Sequence, residues 1–272
     1  MTEAKEHRAA GSGYPVMLVA LLCLTLASSP VVAQQAAPPP DSAWQQSVER
    51  IVEQYIKDHP EAIAKALQAL EEKRQAEAQE RAKAVIAARQ EELLHDQTSL
   101  VGGNPGGDLT VVEFFDYRCA FCKRTASVVA QLQKDDAGVR VVYKDFAILG
   151  ENSELAARAA LASRAQPQSQ AFHDALLAAK EELSKDVILR IAGDVGLDAK
   201  RLEMDMDKPE WFAVIERNRA LARDLDITGT PAFVIGQELH IGALDLPALK
   251  ALVSRARLAP AASAGEEKDS SS

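Results

Sequence analysis

The sequence is poor in cysteine, in aromatic residues and in positive charge. It holds 3 cysteines in 272 residues, its aromatic content is 5%, and its formal net charge is −9. This acidic balance argues against a nucleic-acid partner, which would require a basic stripe. Cys119 and Cys122 form one Cys-x-x-Cys pair, and Cys23 lies in an N-terminal apolar run. If the N-terminal run is removed, the two cysteines that remain lie in one motif. This arrangement suits an oxidising compartment, where stray thiols would mispair.

Long hydrophobic runs are also missing, apart from one near the N-terminus. Two basic residues precede the apolar run Val16–Leu26, and small residues lead to Val31-Val32-Ala33. The run is shorter than the roughly 20 residues that a membrane span needs. We therefore predict a secretory signal peptide at residues 1–33. An uncleaved anchor is the alternative, because acidic residues dilute the positive start.

Residues 34–43 are rich in proline and predict an extended linker. Residues 44–95 predict a helical stalk, in which His59-Pro60-Glu61 separates two helices. So little chain cannot bury the apolar stripes of these helices, so we predict a homo-oligomer assembled through residues 44–70. The alternative is that the helices fold back on the catalytic domain. The stripes consist of Val48, Ile51, Val52, Tyr55 and Ile56, then Ile63, Ala66, Leu67 and Leu70.

The rest of the chain alternates strand and helix patterns. A turn-rich stretch at 98–108 is followed by a strand at 109–115, a helix at 119–133, a strand at 139–146, helical signals over 150–226, a hairpin at 232–241 and a helix at 246–256. This βαβ–helices–ββα order predicts an α/β class protein, a thioredoxin fold with a helical insertion, over residues 96–257. Residues 258–272 are polar and predict a disordered tail.

The Cys-x-x-Cys pair at the start of a predicted helix points to thiol–disulfide chemistry. A helix N-terminus favours a thiolate, and the thiolate is the attacking species in disulfide exchange. Cys119 is therefore the predicted nucleophile and Cys122, one turn on, the predicted resolving thiol. No cofactor beyond this redox-active pair is expected.

Other uses of the two cysteines are weaker. A zinc site needs about four ligands, and the histidines form no ligand-spaced pair. A purely structural disulfide in so small a ring would stabilise little. Binding of Cu(I), for which two thiolates suffice, is the non-enzymatic alternative.

Thr230-Pro231 stands at the head of the predicted strand that begins at Ala232. A proline in this position can be a cis-proline. In a thioredoxin fold such a proline packs opposite the cysteines and leaves the backbone of the preceding residue free to pair with a substrate strand. Thr230 and Pro231 are therefore predicted site residues.

The stretch Val111–Arg124, together with Thr230-Pro231, resembles the DsbA-like branch of thioredoxin-fold proteins. His59-Pro60-Glu61 and Tyr143–Gly150 narrow the resemblance to the suppressor-of-copper-sensitivity C group and its Com1-like relatives. The resemblance covers roughly residues 48–256 and implies a periplasmic thiol–disulfide oxidoreductase. In this group, members with an oligomerisation stalk act as disulfide isomerases, whereas stalkless members are monomeric.

Several residues refine this resemblance. DsbA has Pro-His between its cysteines, whereas this chain has Ala120-Phe121. This difference predicts a redox couple less oxidising than that of DsbA, whose reduction potential is about −120 mV. Thr230 resembles the residue that precedes the cis-proline in dedicated isomerases, whereas DsbA has valine there. Glu113 matches a buried carboxylate of DsbA-like proteins and is a candidate proton relay for Cys122. Lys144 is its candidate partner. The alternative is that Glu113 lies at the strand edge and faces water. Phe121, Tyr117 and Phe233 are candidates for an apolar rim or for plain core.

Three functions follow from these observations. The leading hypothesis is an isomerase or reductase of misfolded secreted proteins, which requires a membrane thiol reductase of the DsbD-like kind to keep Cys119 reduced. The second is a monomeric, DsbA-like dithiol oxidase. The third is the Cu(I)-binding protein. Reduction potential, oligomeric mass and copper titration discriminate among them.

Overall fold

The computed structural model describes residues 42–259. The predicted signal peptide, the predicted linker up to residue 41 and the predicted tail from residue 260 lie outside the described residues. The chain falls into two compact units, the first ending at Pro60 and the second beginning at Glu61.

The described part of the first unit is helix α1, Ser42–Asp58. Its sequence has no proline or glycine, and Lys57 lies in its last turn, where a positive charge suits the helix dipole. None of its residues is buried. The predicted apolar stripe of this helix is exposed, with Ile51 at 68% and Tyr55 at 56%.

The second unit begins with two helices and then carries the sheet. Pro60 occupies the first turn of α2, where its missing N–H has no intrahelical partner to lose. In chain order the elements are α2 (Pro60–Ala88), α3 (Gln90–Leu94), β1 (Leu100–Gly103), β2 (Leu109–Phe115), α4 (Ala120–Asp135), β3 (Val139–Asp145), α5 (Glu151–Ser163), α6 (Ser169–Ala178), α7 (Lys185–Asp194), α8 (Ala199–Asp205), α9 (Pro209–Asp224), β4 (Ala232–Ile235), β5 (Glu238–Ile241) and α10 (Leu246–Leu258).

One five-stranded sheet in the order β1-β3-β2-β4-β5 organises this unit. Strands β2 and β3 are parallel, as the βαβ pattern predicts, and the other neighbouring pairs are antiparallel. Helices α5 to α9 lie between β3 and β4 in the chain. The predicted thioredoxin fold with a helical insertion is confirmed, and the predicted N-terminal helices are present.

The sequence does not predict strand β1, because the stretch 98–108 has the composition of turns. Its sequence Leu-Val-Gly-Gly has two glycines and no run of β-branched residues, so its local strand signal is weak. Pairing with β3 creates the strand: Leu100 lies opposite Tyr143 and Gly103 opposite Arg140. A side chain at Gly102 would collide with the Tyr143 ring, since its Cβ would lie 2.9 Å from Cε2.

The sheet is buried on both faces. One face carries the larger core cluster, which includes Val111, Phe115 and Val141 of the strands and Val129 and Leu132 of α4. The other face carries a second cluster built from the strands, the end of α2, α3 and α9. Val112, Phe114, Ala82, Ile86 and Leu93 belong to this second cluster.

Candidate active site

Cys119 lies at the N-terminal cap of α4. Strand β2 ends at Phe115, four residues connect it to the helix, and the helix begins at Ala120. The backbone N–H of Cys122 donates to the Cys119 sulfur at 3.4 Å. Unpaired N–H groups and the positive end of the helix dipole therefore face the sulfur, which is where a thiolate is stabilised.

Cys122 lies one helical turn further on and is buried almost completely. Both thiols are free. Burial raises the pKa of Cys122 far above its ordinary value, and the charges of Cys119 and Glu113 raise it further. Cys119 is itself buried, at 6% exposure, so the two thiols differ mainly in chemistry: Cys119 caps the helix, whereas Cys122 is held as a thiol.

The loop before β4 brings Thr230 and Pro231 to the cysteines. The Thr230–Pro231 peptide bond is cis. The Cys119 thiol donates to the Thr230 carbonyl oxygen, with sulfur and oxygen 3.2 Å apart. The N–H of Gly242 donates to the Pro231 carbonyl at 2.8 Å, which fixes the loop to the end of β5. Residues separated by about a hundred positions in the chain therefore meet at one sulfur atom.

Glu113 lies in the middle of β2, 3% exposed, and burial raises its pKa to about 8. It lines a cavity of about 560 Å³, together with Tyr143 and His173. A carboxyl group with this pKa exchanges protons near neutral pH, which is the property that a proton relay for Cys122 requires.

Lys144 does not accompany Glu113, and that expectation is wrong. Glu113 lies beside Tyr143 in the parallel register, so Lys144, one residue later, points to the opposite face. There its ammonium nitrogen lies 2.8 Å from a carboxylate oxygen of Asp96. Burial lowers the pKa of Lys144, although the hydrogen bond to Asp96 opposes this.

Sequence reasoning missed Asp116, which organises the backbone beside Cys119. Its carboxylate accepts from the N–H groups of Arg118, Ile148 and Leu149 and from the hydroxyl of Ser153. Four donors on one buried carboxylate join the cysteine loop to the loop after β3. An aspartate directly after a buried strand and three residues before a cysteine was the available signal.

Of the three candidate rim aromatics, only Phe121 is at the surface, at 55% exposure. Tyr117 and Phe233 are buried and belong to the core. The Tyr117 hydroxyl lies 2.8 Å from Nδ1 of His173, and burial lowers the pKa of His173 to about 3. The neutral imidazole and the hydroxyl therefore satisfy each other inside the core.

Within residues 42–259, no group of three or more histidine, cysteine, aspartate or glutamate side chains is placed to hold a metal ion. None of the helices that the structure describes is long and apolar enough to cross a membrane.

An open cleft of about 710 Å³ borders the loop after β3, with Ile148, Gly150 and Arg219 among its lining residues.

The solved structures similar to this chain include thiol–disulfide exchange proteins. The chain is 46% identical to a thioredoxin-like oxidoreductase from Silicibacter pomeroyi, with a TM-score of 0.61. The match covers 62% of this chain and 98% of that one. It is 31% identical to the thiol-disulfide exchange protein α-DsbA2 from Wolbachia pipientis, with a TM-score of 0.61, over 65% of this chain and 96% of that one. ScsC from Proteus mirabilis is 26% identical, with a TM-score of 0.59, over 80% of this chain and 96% of that one.

The chain spans only about a quarter of the length of the first curated relatives that it matches. It is 31% identical to a Na⁺/H⁺ antiporter of Salinispora tropica over 182 residues, which is 62% of this chain and 26% of the antiporter. The resemblance to the suppressor-of-copper-sensitivity C group is confirmed by the ScsC structures. Residues 110–254 match the model of the DSBA-like thioredoxin domain, and the chain belongs to this family.

Proposed function

We propose that the protein is a periplasmic disulfide isomerase or reductase that acts on misfolded secreted proteins through Cys119 and Cys122. The observation that carries the chemistry is the meeting of the Cys119 sulfur with the start of α4 and with the Thr230 carbonyl. The Thr230–Pro231 loop offers backbone for a substrate strand, and Cys122 lies buried next to the attacking sulfur. The signal-like N-terminus supports export to the periplasm.

Isomerisation begins when the Cys119 thiolate attacks one sulfur of a non-native disulfide. A bond forms between Cys119 and that sulfur, the substrate disulfide breaks, and the other substrate sulfur leaves as a thiolate. A substrate thiolate then attacks the mixed disulfide and releases Cys119 unchanged. No net electrons move, so this cycle requires only that Cys119 starts reduced.

Reduction follows when Cys122 intervenes. Its sulfur attacks Cys119, which releases the reduced substrate and leaves a disulfide between Cys119 and Cys122. The Cys122 thiol must first lose its proton, although burial disfavours the thiolate. We assign Glu113 to accept that proton in the molecules whose Glu113 is ionised, a fraction that grows as the pH rises towards its pKa of about 8. A membrane thiol reductase then returns two electrons to the pair.

Assembly through residues 44–70 completes the proposal. The apolar residues of α1 and of the first turns of α2 are exposed, Leu67 at 61% among them. Burying such a stripe against copies of itself is favourable at roughly 25 cal/mol per Å². An oligomer would present several Cys119 sites to one misfolded substrate and would hinder the oxidant that recycles monomeric oxidases.

Refolding of a scrambled disulfide protein tests the proposal. We expect the reduced protein to restore activity to scrambled ribonuclease, Cys119→Ala to abolish this, and Cys122→Ala to retain isomerisation while accumulating mixed disulfides. A reduction potential of about −120 mV, with no activity on scrambled ribonuclease, would instead support the dithiol oxidase.

A further inference from the structure

Positive charge is concentrated around the active-site cysteines. Arg118 precedes Cys119, and Lys123 and Arg124 follow Cys122, so three cations lie within seven residues of a chain with a net charge of −9. We name Arg118, Lys123 and Arg124 the cationic rim. Because the molecule as a whole is acidic, a positive rim at the reactive sulfur is a local departure that a substrate would meet first.

The rim charges are not neutralised as that of Arg257 is. Arg118 donates to the Leu149 carbonyl and Lys123 donates to the Ala179 carbonyl. The guanidinium carbon of Arg124 lies 4.3 Å from the Phe121 ring centroid. By contrast, Arg257 binds two carboxylates, those of Asp108 and Asp136.

Within residues 42–259, the rim has one carboxylate inside ion-pairing distance. It is Glu182, 3.8 Å from Arg118, and its side chain is 69% exposed. Asp116 accepts a hydrogen bond from the backbone N–H of Arg118, but it is buried and its carboxylate accepts four hydrogen bonds in all. Arg124 therefore keeps charge that an incoming acidic group can use, whereas Lys123 is half-buried and lies in the field of Asp116.

Apolar surface adjoins the rim. Phe121 is exposed between the rim residues, and Ile148 and Leu149 are exposed on the loop whose carbonyl binds Arg118. A polypeptide lying along this surface would meet apolar side chains and positive charge beside the same sulfur. Such a surface complements a segment that carries both apolar and acidic residues.

We propose that the cationic rim makes the protein prefer disulfides whose cysteines are flanked by aspartate or glutamate. This preference rests on the proposed exchange activity and names its substrate class. Cys119 attacks, a bond to one substrate sulfur forms, the substrate disulfide breaks, and the departing sulfur takes the electron pair as a thiolate. The rim attracts the acidic segment before this step and stabilises the negative charge that departs during it.

Single-turnover kinetics with three matched peptides test the preference. Each peptide carries one cysteine as a mixed disulfide with neutral 2-mercaptoethanol, flanked by two glutamates, two glutamines or two lysines. For the reduced protein we expect a second-order rate constant about tenfold higher for the glutamate than for the lysine peptide at about 20 mM salt. The ratio should fall below about threefold at about 0.5 M salt, where exposed charges are screened.

Variants show whether the rim is the cause. We expect Arg118→Gln with Arg124→Gln to lower the glutamate-to-lysine ratio below about threefold, and Arg124→Glu to lower it further. Lys134→Gln is the matched control, because it removes an exposed charge from the same helix about 15 Å away. It should keep the wild-type ratio.

A glutamate-to-lysine ratio within about twofold of unity in the wild type would overturn the preference. An equal fall of this ratio in Lys134→Gln and in the rim variant would also overturn it. Reaction of the glutamine peptide with wild-type protein separates this result from failure of the proposed function. If no peptide forms a mixed disulfide with Cys119, the proposed function and the preference both fall.

Discussion

At the residue scale, Glu113 links the redox chemistry to the stability of the fold. Burial raises its pKa to about 8, whereas an unfolded glutamate titrates near pH 4.3. Between these values the folded state keeps a proton that the unfolded state has lost, so the free energy of unfolding falls as pH rises, by at most about 1.4 kcal/mol per pH unit. We expect Glu113→Gln to flatten this decrease between about pH 5 and pH 8, measured by urea unfolding.

Asp145 and His173 set the pH dependence that remains in Glu113→Gln. Burial raises the pKa of Asp145 to about 7, so Asp145 contributes in the same direction as Glu113. Burial lowers the pKa of His173 to about 3, so His173 opposes this decrease below about pH 6.5. Glu210→Gln, which changes an exposed glutamate in the same way, is the control and should leave the slope as in the wild type. An unchanged slope in Glu113→Gln would show that Glu113 titrates at its ordinary value in the folded protein.

Asp116 supports a second prediction at this scale. Asp116→Ala leaves the N–H groups of Ile148 and Leu149 without their acceptor. We expect a loss of about 3 kcal/mol in the free energy of unfolding and faster hydrogen exchange at these two amides. Ser153→Ala removes only one of the four donors and should cost about 1 kcal/mol, with both amides still protected. Equal losses in the two variants would contradict this role.

At the element scale, Gln79 of α2 caps the edge strand β5. Its side-chain amide donates to the Leu239 carbonyl at 2.8 Å, and its oxygen accepts from the Leu239 N–H at 3.4 Å. One glutamine thus replaces a neighbouring strand at that residue. We expect Gln79→Leu to destabilise the second unit by about 1–2 kcal/mol, since it leaves a backbone pair unsatisfied. Gln75→Leu, one turn earlier on an exposed face, is the control and should cost under about 0.5 kcal/mol.

Which elements the sequence predicts correctly depends on where their stability originates. Strands β2 and β3 are rich in β-branched and aromatic residues, such as Val111, Phe114 and Val141, so they are recognisable locally. Strand β1 forms through pairing with β3, and its own residues hardly signal it. The same limit applies to the site: the cysteines and the Thr230-Pro231 pair are visible as motifs, whereas the partner of Lys144 depends on strand register.

At the scale of the whole molecule, the N-terminal helices make two different contributions. Ala82 and Ile86 of α2 and Leu93 of α3 are buried in the second core cluster. The apolar residues of α1 and of the first turns of α2 are exposed instead. A truncation that begins at residue 96 would therefore remove core as well as the surface proposed for assembly, and its loss of activity would not separate the two.

Truncation at residue 71 separates them. We expect the mature chain to have a mass in solution that is a multiple of the protomer mass, and the chain that begins at residue 71 to be monomeric. The shortened chain should keep its unfolding midpoint, because the buried end of α2 remains, whereas a chain that begins at residue 96 should lose several kcal/mol, roughly 2–5 for each large buried side chain removed. Refolding of scrambled ribonuclease should fall in the monomer while the rate of mixed-disulfide formation at Cys119 persists. If the mature chain is itself a monomer, the exposed helices do not assemble, and the dithiol oxidase becomes the better account of the same cysteines.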